Sequence, residues 1–216
     1  MKDVSAQPFY RAIMMKPELI PYIAALLTVA LIASFTLPNC VLTKESPREP
    51  PYYREYDFTR IAEEVSLQEL IEYMAEHGAT LYLPTQLPDG LEITAVYLKR
   101  GPFVAVIVWD SHGNKDPATA ELVMEVAPGE TPSLEKLKEV YCRENEYVLE
   151  INGWPVAIKM DAPVMRLRTR EKWGETVPFI TVWIDGIRYS ITGDPNLLTL
   201  EQIEELVQSM RPATIQ

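Results

Sequence analysis

The chain is poor in the residues on which metal and imidazole chemistry depend. Of its 216 residues only two are cysteine and two are histidine, too few for a disulfide framework or for a zinc site of four thiolates. Basic residues are also in the minority, since 20 Lys plus Arg stand against 31 Asp plus Glu, a formal net charge of −11. Because phosphate binding needs a basic surface, the composition argues against a nucleic-acid partner.

Charged residues are absent from one long segment near the start of the chain. None occurs from Leu19 to Leu37, and a helix of that length covers ~28 Å, the thickness of a hydrocarbon core. A cleaved signal peptide is the alternative, but its apolar stretch is shorter, ~7–15 residues, and its cleavage site needs small residues that are missing here. The sequence therefore predicts a single transmembrane helix over residues 19–37, in contact with membrane lipid.

The orientation of this helix follows from the tail before it. Three basic residues precede the segment and three closely follow it, so their numbers do not decide the orientation of the helix. A short basic tail before a first span usually stays inside, and a long domain after it is translocated. We therefore predict a cytoplasmic tail (1–18), the transmembrane helix (19–37), a Pro/Tyr-rich linker (38–60), an extracytoplasmic domain (61–211) and a short tail (212–216), in the cell membrane.

Helix and turn signals organise the domain. Residue patterns that open helices begin at Ser66, Ser133 and Thr199, each followed three residues later by a helix-favouring polar residue. Asn152-Gly153 and Asp185-Gly186 each lie between apolar, β-branched runs and predict two-residue hairpin turns. We expect an α+β fold class: an N-terminal single transmembrane helix followed by one domain with an antiparallel sheet and about three helices on one face.

One loop contains the residue types of a metal site. Asp110, His112 and Asp116 follow a predicted strand within seven residues, and carboxylates with an imidazole are common metal ligands. The same residue types are typical of any solvated turn. We therefore treat the three as weak metal candidates, and we predict no cofactor and no catalytic residue.

Three arginines alternate with other residues in Met165-Arg166-Leu167-Arg168-Thr169-Arg170. The alternation predicts a strand, which would project the three guanidinium groups from one face. They are candidates for binding an anionic partner, since arginine forms bidentate hydrogen bonds with carboxylate and phosphate groups. The alternatives are that they solubilise the sheet face, pair with acidic neighbours, or protect a sheet edge.

The linker supplies a second candidate partner surface. Tyr52, Tyr53 and Tyr56 cluster beside the predicted span, where aromatic residues dock on a partner, form an interfacial belt, or fold back onto the domain.

The two cysteines, Cys40 and Cys142, are a candidate disulfide. They would share an oxidising compartment if the domain is outside. A bond between them would close a loop of about a hundred residues and contribute about 4–5 kcal/mol.

Three passages of the domain resemble a known extracytoplasmic domain of unknown function. They are Ser66 to Glu92, with LYLPTQLPDGLEI at its end, the turn at Ile151-Asn152-Gly153, and Val182 to Gly193. That domain is found on membrane-anchored bacterial and archaeal proteins, among them lipoproteins and anti-sigma-factor-like regulators. The resemblance covers about residues 61–211 and implies an extracytoplasmic fold without implying a reaction.

Together these patterns favour a protein that binds rather than catalyses. We predict a non-enzymatic, membrane-anchored extracytoplasmic binding or sensor module with a protein partner. One alternative is an accessory subunit of a multi-subunit membrane complex. The other is a hydrolase with an unrecognised site, which the two histidines make the least favoured.

Overall fold

The computed structural model describes residues 57–88 and 90–214. The predicted transmembrane helix at 19–37 lies outside these residues, as do Cys40, Tyr52, Tyr53 and Tyr56. Within the described ranges, no helix has both the length and the apolar character needed to cross a membrane.

The first half of the domain contributes one helix and five strands. A short 3-10 helix, Phe58–Arg60, precedes them. The elements are β1 (Glu63–Glu64), α1 (Leu67–Glu76), β2 (Tyr82–Pro84), β3 (Glu92–Lys99), β4 (Val104–Asp110) and β5 (Leu122–Pro128).

The second half contributes three helices and five strands. These are α2 (Leu134–Val140), β6 (Glu146–Ile151), β7 (Trp154–Pro163), α3 (Leu167–Trp173), β8 (Thr176–Ile184), β9 (Ile187–Gly193), α4 (Leu200–Gln208) and β10 (Met210–Pro212).

Eight of the strands form one antiparallel sheet with the order β1-β3-β4-β5-β9-β8-β7-β6. The strands from each half of the chain are contiguous, and the two blocks meet where β5 pairs with β9. The remaining strands, β2 and β10, form a separate two-stranded sheet. The centre of the large sheet is therefore shared by both halves of the chain.

The predicted fold class is wrong. The described residues are mostly one large antiparallel sheet of eight strands accompanied by four helices, and none of these helices can span a membrane. The strand β1 has only two residues, and β2 and β10 have three each. Strands this short show no alternating hydrophobic pattern, so the sequence did not predict them. The additional helix, α3, occupies residues that the sequence predicted as a strand.

The helix starts predicted from capping patterns are confirmed. The side chain of Ser66 accepts from the backbone N–H of Glu69, and the Glu69 carboxylate accepts from the N–H of Ser66. Thr199 and Gln202 exchange the same two hydrogen bonds at the start of α4. Because these bonds satisfy N–H groups that lack partners within the helix, they fix where α1 and α4 begin.

The two predicted hairpin turns are also confirmed. Asn152 and Gly153 have φ values of 55° and 80°, and Asp185 and Gly186 have φ values of 51° and 78°. Positive φ at both central residues is the signature of a type I′ turn. These turns connect β6 to β7 and β8 to β9.

The two faces of the large sheet are covered by different parts of the chain. On the first face, Leu70 and Met74 of α1 and Ile203 and Val207 of α4 belong to the main hydrophobic core. On the second face, a smaller core forms around Phe58 and includes side chains from β3, β4 and β5. Over the centre of that second face the side chains border a cavity.

Candidate functional site

A cavity of about 490 Å³ lies against the second face of the large sheet. Its floor is built by alternate side chains of four adjacent strands, β4, β5, β9 and β8. Its other walls come from Phe58, Pro117, Tyr141 and the segment from residue 162 to Thr169, which includes the end of β7 and the start of α3. The volume falls in the range of small-molecule binding sites, about 300–1,000 Å³.

Three cross-strand pairs of β8 and β9 form the centre of the floor. Residues two apart on a strand face the same side, and directly opposed side chains lie about 5 Å apart at their Cβ atoms. Aromatic, hydroxyl and cationic groups therefore lie in consecutive rows. The pairs are Phe179 with Thr192, Thr181 with Ser190, and Trp183 with Arg188.

Of the three hydroxyl groups on this floor, one is hydrogen-bonded within the domain and two are not. Thr192 Oγ1 donates to the carbonyl oxygen of Pro178 at 2.9 Å. By contrast, the hydroxyls of Thr181 and Ser190 form no hydrogen bond with the residues that the structure describes, although these side chains are only 4% and 8% exposed. Since both residues line the cavity and neither hydroxyl has a partner among the described residues, this pair offers donors and acceptors to a molecule inside the cavity.

Two arginines and one glutamate supply the charges of the cavity wall. Arg188 Nη2 donates to Glu125 Oε1 at 3.1 Å, while Arg188 Nε is buried without a hydrogen-bond partner among the described residues. The side chain of Arg166 forms no ion pair or hydrogen bond with any described residue. One positive charge therefore remains unbalanced in the lining, although the chain as a whole carries −11.

The phenol of Tyr141 adds a further polar group at the cavity wall. Burial raises the pKa of Tyr141 above its usual value, and nearby Glu146 raises it further. The group is therefore protonated at physiological pH and available as a hydrogen-bond donor.

The predicted strand with three arginines on one face is wrong. The chain is helical from Leu167, and Arg166 occupies the N-cap position of α3. Residues two apart on a helix point to nearly opposite sides, because each residue turns the chain by about 100°. Arg168 pairs with Asp116 and Arg170 with Glu175, so Arg166 alone of the three lines the cavity.

The metal candidates are only partly brought together. Asp110 and His112 lie beside Glu121, with one potential ligand atom from each within 4.8 Å of the others. Asp116 belongs to a different cluster, where its carboxylate accepts from Ala118 N–H at 3.1 Å and also contacts Arg168. Glu121 lay outside the predicted set because it follows the loop, just before β5, and only the β4–β5 pairing brings it back to Asp110.

Hydrogen bonds to the loop account for the position of Asp110. Its Oδ1 accepts from the N–H groups of His112 and Asn114 at 2.8 and 3.1 Å, and its Oδ2 accepts from Glu121 N–H at 3.3 Å. Burial raises the pKa of this carboxyl, but the three backbone hydrogen bonds outweigh burial and hold the pKa below its usual value. The carboxylate therefore closes the loop, and a metal role for Asp110 and His112 stays a prediction.

A serine also lies beside this histidine without forming a catalytic triad. Ser111 Oγ is 2.8 Å from His112 Nδ1, and Glu121 Oε1 is 3.8 Å from the same nitrogen. A triad needs the serine on one ring nitrogen and the carboxylate on the other, so that the acid orients the base. Here both partners meet Nδ1, and His112 is exposed. The arrangement is therefore not a catalytic triad, and the hydrolase alternative stays a prediction.

Cys142 is disulfide-bonded. Its predicted partner, Cys40, is the chain's other cysteine and lies outside the described residues. The pairing of the two therefore stays a prediction, as does partner binding by Tyr52, Tyr53 and Tyr56.

No protein family matches the chain, and no curated protein or solved structure does either. The functional argument therefore depends on the site itself. The sequence reasoning missed the cavity because its lining comes from segments far apart in the chain. One signal was present, since Thr181, Arg188, Ser190 and Thr192 place polar side chains on one face of two otherwise apolar strands.

Proposed function

We propose that this domain is a non-enzymatic binding module and that its ligand occupies the cavity on the second face of the sheet. The cavity itself supports this proposal most directly, because it combines a mostly apolar lining with a few convergent polar groups. The free hydroxyls of Thr181 and Ser190 can orient a ligand, and the rigid β8–β9 pairing fixes their positions.

The lining favours binding over catalysis. Its hydroxyl groups are not hydrogen-bonded to a base among the described residues, and an unactivated hydroxyl is a weak nucleophile. Neither His77 nor His112, the two histidines of the chain, lines the cavity. The groups that are present can hold, orient and discriminate a ligand.

We further propose that the domain works outside the cytoplasm. The disulfide bond at Cys142 supports this location, because disulfides persist in oxidising compartments and are rare in the cytosol. Protease added to intact cells should digest the domain, and complete protection would contradict this location.

Tryptophan fluorescence gives a direct test of ligand binding. All four tryptophans of the chain, at positions 109, 154, 173 and 183, lie in the described residues, and Trp183 lines the cavity. We expect 12-bromododecan-1-ol, an apolar probe whose bromine quenches indole fluorescence, to quench the full chain saturably. Trp183→Phe should remove most of this quenching, whereas Trp173→Phe, outside the cavity, should preserve it.

A cavity-filling variant completes the test. Thr169→Phe adds bulk from α3, a helix with no fully buried residue, so the sheet should keep its fold and melting temperature. It should reduce probe affinity at least several-fold. If the probe quenches wild type, Trp183→Phe and Thr169→Phe equally, or does not quench at all, the cavity is not a binding site.

A further inference from the structure

We propose that the ligand is an elongated amphiphile with one anionic head, a carboxylate or a phosphate, and that Arg166 binds this head. The inference rests on the proposed function, because it assigns a ligand class to the same cavity. Its basis is one charged side chain, the direction of one strand, and the chemistry of the remaining lining.

The charge balance of the lining selects Arg166 as the head-binding residue. The charge of Arg188 is compensated by Glu125, whose carboxylate is 3.1 Å away. Arg166 is half-buried and has no such partner among the described residues. A guanidinium in this state binds carboxylate or phosphate through paired, charge-assisted hydrogen bonds.

The place of Arg166 in the fold puts the head at one end of the cavity. Pro163 pairs with Thr176 at the start of β8, and Val164 N–H donates to the carbonyl oxygen of Glu175 at 2.9 Å. Arg166 therefore follows a segment anchored beside the first residues of β8. Trp183, seven residues after Thr176, lies roughly 23 Å further along the strand at 3.2–3.4 Å per residue.

The floor between these ends suits the body of such a molecule. Along β8 the side chains facing the cavity are Val177, Phe179, Thr181 and Trp183. Three of the four are apolar, so they favour an alkyl or similar chain laid parallel to the strand. The Thr181–Ser190 pair sits midway and can accommodate a polar group within that chain.

Matched probes separate the contribution of the head from that of the body. The full chain is titrated with 12-bromododecanoate, 12-bromododecyl phosphate and 12-bromododecan-1-ol at pH 8, below their micelle concentrations, with tryptophan quenching as the readout. We expect at least one anionic probe to bind about tenfold or more tightly than the alcohol, the size of one charge-assisted interaction. The stronger anion identifies the head as a carboxylate or a phosphate.

Two charge-removing variants on the same segment decide whether Arg166 is responsible. Arg166→Gln should bring the anion within about twofold of the alcohol, because the change removes the charge that only the anionic head uses. Lys172→Gln removes the same charge from an exposed position of α3 that does not line the cavity, and it should preserve the preference.

The possible failures are distinguishable. If no probe binds, the proposed binding function fails together with the ligand class. If the three probes bind equally to wild type, or if Arg166→Gln leaves the anion preference intact, the anionic head is refuted while the binding function stands. If Lys172→Gln weakens anion binding as much as Arg166→Gln, the preference comes from the combined positive charge of α3, and the assignment to Arg166 is overturned.

Discussion

Tyr189 and Tyr82 are joined by a hydrogen bond that links β9 of the large sheet to the start of β2. The hydroxyl of Tyr189 accepts from the backbone N–H of Tyr82 at 3.1 Å and donates to the carbonyl oxygen of Thr80 at 3.1 Å. Burial raises the pKa of Tyr189 far above its usual value, so the hydroxyl stays protonated and keeps its donor role. One phenol therefore anchors the two-stranded sheet to the large one.

Tyr189→Phe should destabilise the domain by about 1–3 kcal/mol. The ring would remain packed, but Tyr82 N–H and Thr80 C=O would lose their partner in a partly buried environment. Urea unfolding followed by circular dichroism measures the difference. Tyr147→Phe is the matched control, because Tyr147 is exposed and its hydroxyl has no hydrogen bond to the described residues. Equal stability of the two variants would contradict the anchoring role.

Asp110 should make stability depend on pH in the acid range. Its folded-state pKa lies below the ordinary value of 3.8, so the charged form stabilises the fold above that pH and loses this contribution as the pH falls below it. Asp110→Asn should therefore cost about 1–3 kcal/mol at pH 7, and the difference from wild type should shrink below about pH 4.

The control for this experiment is Asp161→Asn, at an exposed position of β7. Unfolding free energies should be measured between pH 3 and pH 7. Asp110→Asn should be less stable than Asp161→Asn near pH 7, and this difference should disappear near pH 3. If the difference in unfolding free energy between Asp110→Asn and wild type did not change with pH, the charge of the carboxylate would not be what closes the loop.

The β6–β7 turn should tolerate asparagine better than valine at position 153. Gly153 has a φ of 80° and open space where a Cβ would be placed, so backbone strain rather than a clash decides the cost. Gly153→Val should destabilise by about 1 kcal/mol or more, because a branched Cβ disfavours positive φ, whereas Gly153→Asn should cost less. Melting temperatures that do not differ between these variants would argue against the turn.

Thiol labelling under denaturing, non-reducing conditions tests the disulfide. Because Cys142 is bonded, we expect no free thiol, and a monomeric band without reductant if Cys40 is the partner. Cys142→Ser should then expose one reactive thiol per chain. A covalent dimer that reductant converts to monomer would show that Cys142 is bonded to a cysteine of a second copy instead.

The ion pair between Arg168 and Asp116 should control how firmly α3 is held beside the cavity. It connects α3 to the loop before β5, next to the cavity residue Pro117. Arg168→Gln should change stability by no more than about 1 kcal/mol, since half-exposed ion pairs contribute little. Stopped-flow quenching should nevertheless show faster release of 12-bromododecan-1-ol, with release from Lys172→Gln unchanged.

Local signals in the sequence were sufficient for helix starts and tight turns. Ser66 with Glu69 and Asn152 with Gly153 predicted these features correctly, because capping and positive φ depend on residues a few positions apart. Residues 165–170 were misassigned because six alternating residues fit a strand or two turns of a helix equally well. The long side chains of Met, Leu and Arg favour the helix.

The cavity was beyond such local reasoning. Its floor depends on β5 pairing with β9, a contact between residues about sixty to seventy positions apart. Nothing near Glu125 in the sequence indicates that Arg188 lies beside it. Likewise, Asp116 was grouped with Asp110 by proximity in sequence, whereas the folded loop brings Glu121 to Asp110 and leaves Asp116 to Arg168.

The pairing of β5 with β9 also makes the domain divisible. The strands on each side of this pairing come from one continuous half of the chain, and residues 129–133 connect the halves between β5 and α2. A chain cut there yields two fragments, each with a block of adjacent strands and one newly exposed sheet edge. Because the cavity floor takes side chains from both β5 and β9, neither fragment contains the site alone, and recovery of probe binding on mixing would report fragment complementation.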